Sequence, residues 1–230
     1  MNGVRRGESW GRPTDEPAAR RVEGSDAVLV AAWLQRPDAL IRFVPGRGGS
    51  DLAATLGLGR TAEASGIEVR VDVLAVEFDD QMRFALAHVV LGHAPHALRP
   101  WHRRRSMAVF ADSGAGPSET TRSPGPAAST GVVVLNAQHL AGRRVAPRGH
   151  PGDGRSEVQW YGLAPGNRAA MRRRLGQGDH LDHPEIGQAV GRRIRLTSGE
   201  PRPLALDGER FATTDAVTIM VRPGALRLLL

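Results

Sequence analysis

A chain of 230 residues holds one large or two small domains and can bury a sizeable core. It has no cysteine, which excludes disulfides, thiolate metal sites and cysteine nucleophiles, and its net charge of +7 rests on arginine alone because no lysine occurs. No segment reaches the ~18 apolar residues that a bilayer span requires, and the polar N-terminus has no apolar core that would make it a signal peptide, so a cytoplasmic protein without a transmembrane segment is expected.

The all-arginine bias, with abundant Ala and Gly, reads as codon composition rather than as a nucleic-acid surface, and one Tyr and five Phe leave few platforms for base stacking. No nucleic-acid partner is expected. A weak preference for anionic membrane surfaces is, since arginines clustered near a membrane each gain on the order of 1 kcal/mol. The absence of lysine also excludes a Walker-type phosphate lysine.

In chain order, residues 1–21 are polar and charged and read as a disordered tail. AVLVAAWLQ after Asp26 reads as a helix, capped by Ser25 or Asp26 and stopped by Pro37, and residues 39–44 as a short strand. The loop Pro45-Gly46-Arg47-Gly48-Gly49-Ser50-Asp51 then feeds a helix that ends at Gly57 or Gly59. Backbone N–H groups of such a loop can approach an anion at the positive helix end, although an ordinary turn capped by Ser50 uses the same residues. After Gly66 the texture alternates: IEVRVDVLAVEF and RFALAHVVLG read as a hairpin about Asp79 and Asp80, residues 106–112 as the next strand, and 113–130 as a low-complexity loop.

Residues 131–163 read as strand, long Pro/Gly-rich loop, strand, with the lone carboxylate of Asp153 in the loop. Residues 166–178 form a short helix whose Arg172, Arg173 and Arg174 make a solvated face or, on the sharper reading, touch lipid phosphate. Strands follow at RRIRLTS, RPLALDG, AVTIMV and ALRLLL. The fold class is α+β, mostly antiparallel sheet attached to a stub of α/β structure.

The ordered set Asn136-x-Gln138-x-x-x-Gly142, Ala146-Pro147-x-x-x-Pro151-x-Asp153-Gly154, then Gly178-x-His180-x-x-His183-Pro184-x-Ile186, Leu204-x-Leu206-Asp207-Gly208-Glu209 and the C-terminal RPGALRLLL resembles the C-terminal half of the diacylglycerol kinase catalytic-domain family, which includes bacterial lipid kinases and sphingosine kinases. Upstream, Val44 to Leu58 is similar to the family's P-x-G-T-x-N-D-F-A-R-x-L-G-I. The resemblance covers residues 23–230. It implies a truncated α/β nucleotide-binding domain over 22–62 and an antiparallel β-sandwich domain over 63–230, beside the disordered tail over 1–21 and the disordered loop at 113–130 that composition predicts.

The activity so implied is ATP- and magnesium-dependent phosphorylation of a diacylglycerol-like lipid hydroxyl at a membrane surface. Phosphoryl transfer needs phosphate positioning, a divalent cation and a group that takes the acceptor proton. By resemblance, Glu209 is the general base, and Asp153 binds magnesium with main-chain oxygens of His150 and Arg155, an oxygen-only set suited to a hard cation. Gly24, Asp26, Gly46, Gly48, Gly49 and Asp51 contact the nucleotide.

Plainer readings exist for each. Asp207-Gly208 between alternating runs is first a hairpin turn, with Glu209 a solvated turn residue. His180, Asp182, His183 and Glu185 are interrupted by Pro184, which spoils a helical ligand spacing. His93, His96, His102 and His139 read as surface or packing residues. The family's opening N-P-x-x-G strand is absent, and its G-G-D-G-T loop falls on Gly24-Ser25-Asp26-Ala27-Val28, which replaces two glycines and the Thr. Added Cβ atoms there hinder backbone approach to phosphate. The acceptor half of the site is intact while the ATP half is eroded. The alternative is therefore a non-catalytic relative that binds a lipid or a partner, and sheet edges left by the missing strand would favour homo-oligomers.

Overall fold

The computed structural model describes residues 10–59, 66–112, 120–122 and 127–230. The chain begins with β1 (Gly11–Pro13) and β2 (Arg20–Gly24), then α1 (Asp26–Gln35), β3 (Leu40–Pro45) and α2 (Asp51–Leu56). Next come β4 (Ile67–Phe78), β5 (Gln81–Ala85), β6 (His88–Gly92) and β7 (Arg105–Asp112). Short β8 (Thr120–Arg122) and β9 (Ala127–Ser129) precede β10 (Gly131–Leu135), the small pair β11 (His139–Leu140) and β12 (Arg143–Arg144), and β13 (Ser156–Tyr161). Helix α3 (Asn167–Arg174) leads to β14 (Ile186–Gly191), β15 (Arg193–Leu206) and β16 (Glu209–Leu229).

The result is mostly antiparallel sheet with few helices. Strand β16 is its spine: it pairs antiparallel with β15 from Arg193↔Met220 to Leu206↔Glu209, and with β4 from Thr218↔Glu77 to Leu229↔Glu68. The path continues from β15 through β6, β10 and β13 to β14. Strand β15 changes partner along its length, since its first half pairs with β7 and its second with β6. Buried apolar side chains from both stretches, among them Leu74, Val89, Val109, Val132, Val158, Leu196 and Ile219, fill one core between them.

The N-terminal region is different in kind. Strands β2 and β3 are parallel, joined through α1, and β3 also runs parallel to the end of β16 at Arg227↔Leu40. Ser25 caps α1, and Leu29, Val30, Ala32 and Trp33 are its buried residues; the Trp33 indole donates to the Ala225 carbonyl at 3.0 Å. These residues join Ile41, Phe43, Leu52, Val71 and Leu228 in a second apolar cluster, so the α/β stub is packed directly on the sheet.

Four expectations change. Residues 11–13 and 20–21 of the supposed tail are strand, the latter as the start of β2, because β4 and β3 offer them free edges. Residues 120–122 and 127–129 of the supposed loop pair with β7, while 113–119 and 123–126 lie outside the described residues. The run RFALAHVVLG divides into β5 and β6, which serve different neighbours. The four C-terminal strands are two long ones, bent at irregularities between Thr197 and Arg202 and between Arg222 and Leu226. Pro201 and Pro223 fall inside those irregularities, where a missing ladder donor is tolerated.

Candidate active site

The carboxyl ends of β2 and β3 meet at two glycines. The Gly46 N–H donates to the Gly24 carbonyl at 2.8 Å, and a Cβ on Gly46 would come within 3.1 Å of the Gly24 Cα. Ligands of open α/β units bind outside such strand ends. Beyond Gly46 the loop turns through Gly49, whose φ of 81° is left-handed, and a Cβ on Gly48 or Gly49 would meet nothing within 4 Å. That part of the loop faces open space.

Buried Asp26 fixes the loop from behind. Its carboxylate accepts the Ser50 hydroxyl, the Asp51 N–H at 2.9 Å and the Leu52 N–H at 3.4 Å, so the first residue of α1 also closes the N-terminus of α2. Ser50 adds its own cap by accepting the Ala53 N–H at 2.8 Å. Burial raises the Asp26 pKa, held back by those hydrogen bonds.

Asp51 faces the opposite way. It accepts the N–H groups of Ala141 at 2.8 Å and Gly142 at 2.9 Å, which ties α2 to the turn between β11 and β12. Its Oδ2 lies 3.5 Å from Nδ1 of buried His88, whose pKa burial lowers to about 4 against the opposing pull of Asp51. At neutral pH His88 is therefore uncharged. Thr55 donates to the Asp51 carbonyl at 2.8 Å, accepts the Gln138 N–H at 3.0 Å and stands 3.1 Å from His139 Nδ1.

The Asp207-Gly208 turn completes the cluster. Both residues have positive φ, 48° and 86°, as a two-residue hairpin between the paired Leu206 and Glu209 requires. The Asp207 carboxylate accepts N–H groups from Leu86 at 2.8 Å, Ala87 at 2.8 Å and His88 at 3.0 Å. Burial, and then the charge of Asp26, push its pKa up to about 7 in spite of those three donors. Glu209 is exposed two residues on, and among the described residues no hydrogen bond or ion pair engages its carboxylate.

Gly24, Asp26, Gly46 and Asp51 thus gather beside the turn that carries Glu209, with Gly48 and Gly49 on the open side of the loop. Asp153, His150 and Arg155 lie elsewhere, in the loop that leads into β13. Asp153 accepts the Arg155 N–H at 2.9 Å, and its own N–H reaches the His150 carbonyl at 3.4 Å. Beside it stands fully buried Asp72, which accepts Gly154 N–H at 2.6 Å and Gly224 N–H at 2.7 Å. Burial raises both pKa values, that of Asp72 to about 7 with a further push from Asp153. Trp10 braces the loop: its ring meets His150 edge-on at 4.7 Å, and its indole donates to Arg70 at 2.9 Å.

Among the described residues no three His, Cys, Asp or Glu side chains converge as a metal cluster. The oxygens that this loop could offer a hard divalent cation are the Asp153 carboxylate and main-chain carbonyls, of which that of His150 already accepts the Asp153 N–H. The loop's connection to the Asp207 turn runs through buried Asn136, which donates to the Asp72 carbonyl at 2.9 Å and the Leu86 carbonyl at 2.8 Å.

Asp72 and His88 were not singled out in the sequence, and Asp207 stood there only as a turn residue. For Asp72 a signal exists: with Glu68 it is one of two carboxylates on the strand face that Leu74 and Val76 commit to the core. His180 belongs to packing, buried 3.4 Å from the Tyr161 hydroxyl.

The family model described as YegS C-terminal NAD kinase beta sandwich-like domain matches residues 64–230. No curated relative matches the sequence. Among solved structures, the fold is similar to a diacylglycerol kinase from Bacillus anthracis str. Sterne, at 17% identity and a TM-score of 0.69 over 91% of this chain and 75% of that one. Two structures from the same organism, each named "a putative diacylglycerol kinase", give TM-scores of 0.67 and 0.68 at 15% and 14% identity, covering 91% of this chain and 76% and 77% of theirs. Identities at this level speak for a shared fold, and the family model carries the relationship itself. Matched by it over most of its length, the chain belongs to the YegS-type, diacylglycerol kinase-like lipid kinase family.

Proposed function

We propose that the protein is a lipid kinase that transfers the terminal phosphoryl group of ATP to a lipid hydroxyl. The observation that carries the reading is the convergence of two glycine loops, at the ends of parallel β2 and β3, on the Asp207–Glu209 turn through Asp26, Asp51 and His88. Residues 22–62 would serve as the nucleotide-binding unit and residues 63–230 as a β-sandwich unit presenting the acceptor. The backbone of Gly24, Gly46, Gly48 and Gly49 would line the phosphates, with exposed Arg47 adding charge.

In this reading the lipid oxygen attacks the terminal phosphorus as ADP leaves, and the hydroxyl proton passes to the free carboxylate of Glu209. Asp207 positions that carboxylate by holding the turn against residues 86–88. Magnesium would be held by Asp153 with the carbonyls of His150 and Arg155, and when bound it supplies positive charge beside Asp72 and Asp153. Asn136 would keep that loop in register with the Asp207 turn. A cytoplasmic protein that visits the membrane surface for its substrate agrees with this activity; no described helix is long and apolar enough to cross a membrane.

Calorimetry with ATP and magnesium, wild type beside Asp51→Ala, is the first test, followed by a lipid-kinase assay of Glu209→Gln. Binding lost in the first variant, and binding kept with turnover lowered at least ~100-fold in the second, are the expected results. Absence of any nucleotide binding by the wild type would leave the second reading, a non-catalytic lipid- or partner-binding relative. One observation favours that rival: the Val28 side chain crowds the first glycine, where a Cβ on Gly24 would meet it at 2.9 Å.

A further inference from the structure

Strand β6 joins two different places. His88 begins it in the candidate active site, and Gly92 ends it about 13 Å away, at the rise of an extended strand. From there the chain leaves the sheet, and residues 98–104, of sequence LRPWHRR, form a loop that leads into β7.

The loop is clamped. Buried Arg168 donates through Nη1 to the carbonyls of Arg99 at 2.6 Å, Pro100 at 3.0 Å and His102 at 2.7 Å, and through Nε to Leu163 at 3.1 Å. Arg172 donates to the Leu98 carbonyl. His93 stacks flat on His102, with ring centroids 3.7 Å apart and planes within 6°. The clamp engages the loop's backbone, Leu98 is buried and Arg104 donates to the Gly162 carbonyl at 3.0 Å, while Arg99, Trp101 and Arg103 are exposed.

Foremost among them is Trp101, 73% exposed, the most exposed large apolar side chain among the described residues. Exposed Arg99, Arg103, Arg104 and Arg105 surround it. Beside it opens a cavity of about 340 Å³ whose lining includes Trp101, His93, His102, Arg103, Arg105 and the buried Arg202. The only carboxylate in that lining, Glu200, is engaged by Arg105 at 3.0 Å. Arg202 behind the cavity is held by the protein, donating to the Ser198 hydroxyl at 3.1 Å and to the carbonyls of Thr130 at 2.9 Å and Ser129 at 3.1 Å, so Arg103 is the exposed arginine of the lining that Glu200 does not engage.

We propose that this end of the molecule is a docking surface for anionic bilayers, in which Trp101 enters the headgroup boundary and a lipid phosphate seats at the mouth of the cavity against Arg103, with Arg99 beside it and the charge of Arg202 behind. An indole suits that boundary because its ring is apolar and its N–H needs a polar partner. Guanidinium forks match phosphate oxygens in pairs, and a negative bilayer surface draws in basic side chains. A nucleic-acid strand is the poorer fit: one indole protrudes, while His102 is turned edge-on to it and already covered by His93, so successive bases find no row of rings. The inference stands apart from the kinase reading, since docking needs neither nucleotide nor turnover.

The test is co-sedimentation of the full chain, at low salt, with vesicles of phosphatidylcholine alone and of phosphatidylcholine mixed with phosphatidylglycerol. The wild type is expected to pellet with the mixed vesicles only and to be released by salt. Each basic residue near a charged bilayer is worth about fivefold in partitioning, so Arg99→Glu combined with Arg103→Glu should lower binding more than tenfold. Trp101→Ala should lower it separately, and both variants should keep the wild-type melting temperature because these side chains are exposed. A wild type that stays in the supernatant, or variants that pellet like it, overturns the proposal. So does tight, salt-sensitive binding to duplex DNA without vesicle binding, which would make the surface a nucleic-acid one.

Discussion

One carboxylate, Asp207, explains why RFALAHVVLG is two strands rather than one. It accepts the N–H groups of Leu86, Ala87 and His88, which a continuous strand would have given to a neighbour. Asp207→Ala strands three donors and places alanine at a φ of 48°, so it should cost about 3 kcal/mol in urea unfolding, with Asp207→Asn costing less. At the second carboxylate loop, magnesium should raise the melting temperature of the wild type through Asp153 and leave Asp153→Asn unmoved. An equal shift in both would place the cation elsewhere.

Among the elements, α2 depends most on residues outside itself. Six residues cannot hold a helix by propensity, and this one is fixed by Ser50, by Asp26 from α1 and by the left-handed cap at Gly57. Ser50→Ala removes the cap on the Ala53 N–H and the hydroxyl that Asp26 accepts, so it should cost about 1 kcal/mol and, by loosening the start of α2, weaken nucleotide binding in calorimetry. Where β10 begins, contact is closer still: a Cβ on Gly131 would lie 2.3 Å from the His93 carbonyl oxygen. Gly131→Ala should therefore destabilise by about 2 kcal/mol in the same urea titration, since backbone rather than a side-chain tip must yield. Strands β1, β4 and β16 share another fastening, buried Glu68, which bonds Arg12 at 3.1 Å and Arg227 at 2.9 Å and whose pKa falls to about 2, led by the Arg227 hydrogen bond.

For the molecule as a whole, buried ionisable groups set how stability follows pH. Asp72 and Asp207 hold a proton up to about pH 7 when folded but release it near 3.8 when unfolded. The folded state then binds more protons across that window, so each lowers stability as pH rises, by about 1.4 kcal/mol per unit. His88 and His180, lowered from 6.5 to about 4 by burial, act in the opposite sense between those values, because there the unfolded state binds the extra proton. The two pairs partly offset. Asp207→Asn removes one carboxyl, so between about pH 5 and pH 6 its stability should rise relative to wild type by about 1.4 kcal/mol per unit. Parallel profiles would show that Asp207 titrates as an ordinary carboxylate.

Local chemistry alone determined α1 with its Ser25 cap, α2 behind a glycine loop, the strand–loop–strand of 131–163 and the mainly antiparallel texture, because caps, turns and alternation act within a few residues of one another. The ordered motifs also carried the family. What only the tertiary structure decided lies between distant residues: that 11–13 and 20–24 are strands, that β15 and β16 run through their prolines, that Asp207 reaches back to residues 86–88, and that Asp72 sits behind Asp153. A free sheet edge or a buried N–H recruits whatever the fold brings to it, and spacing along the chain does not record that demand.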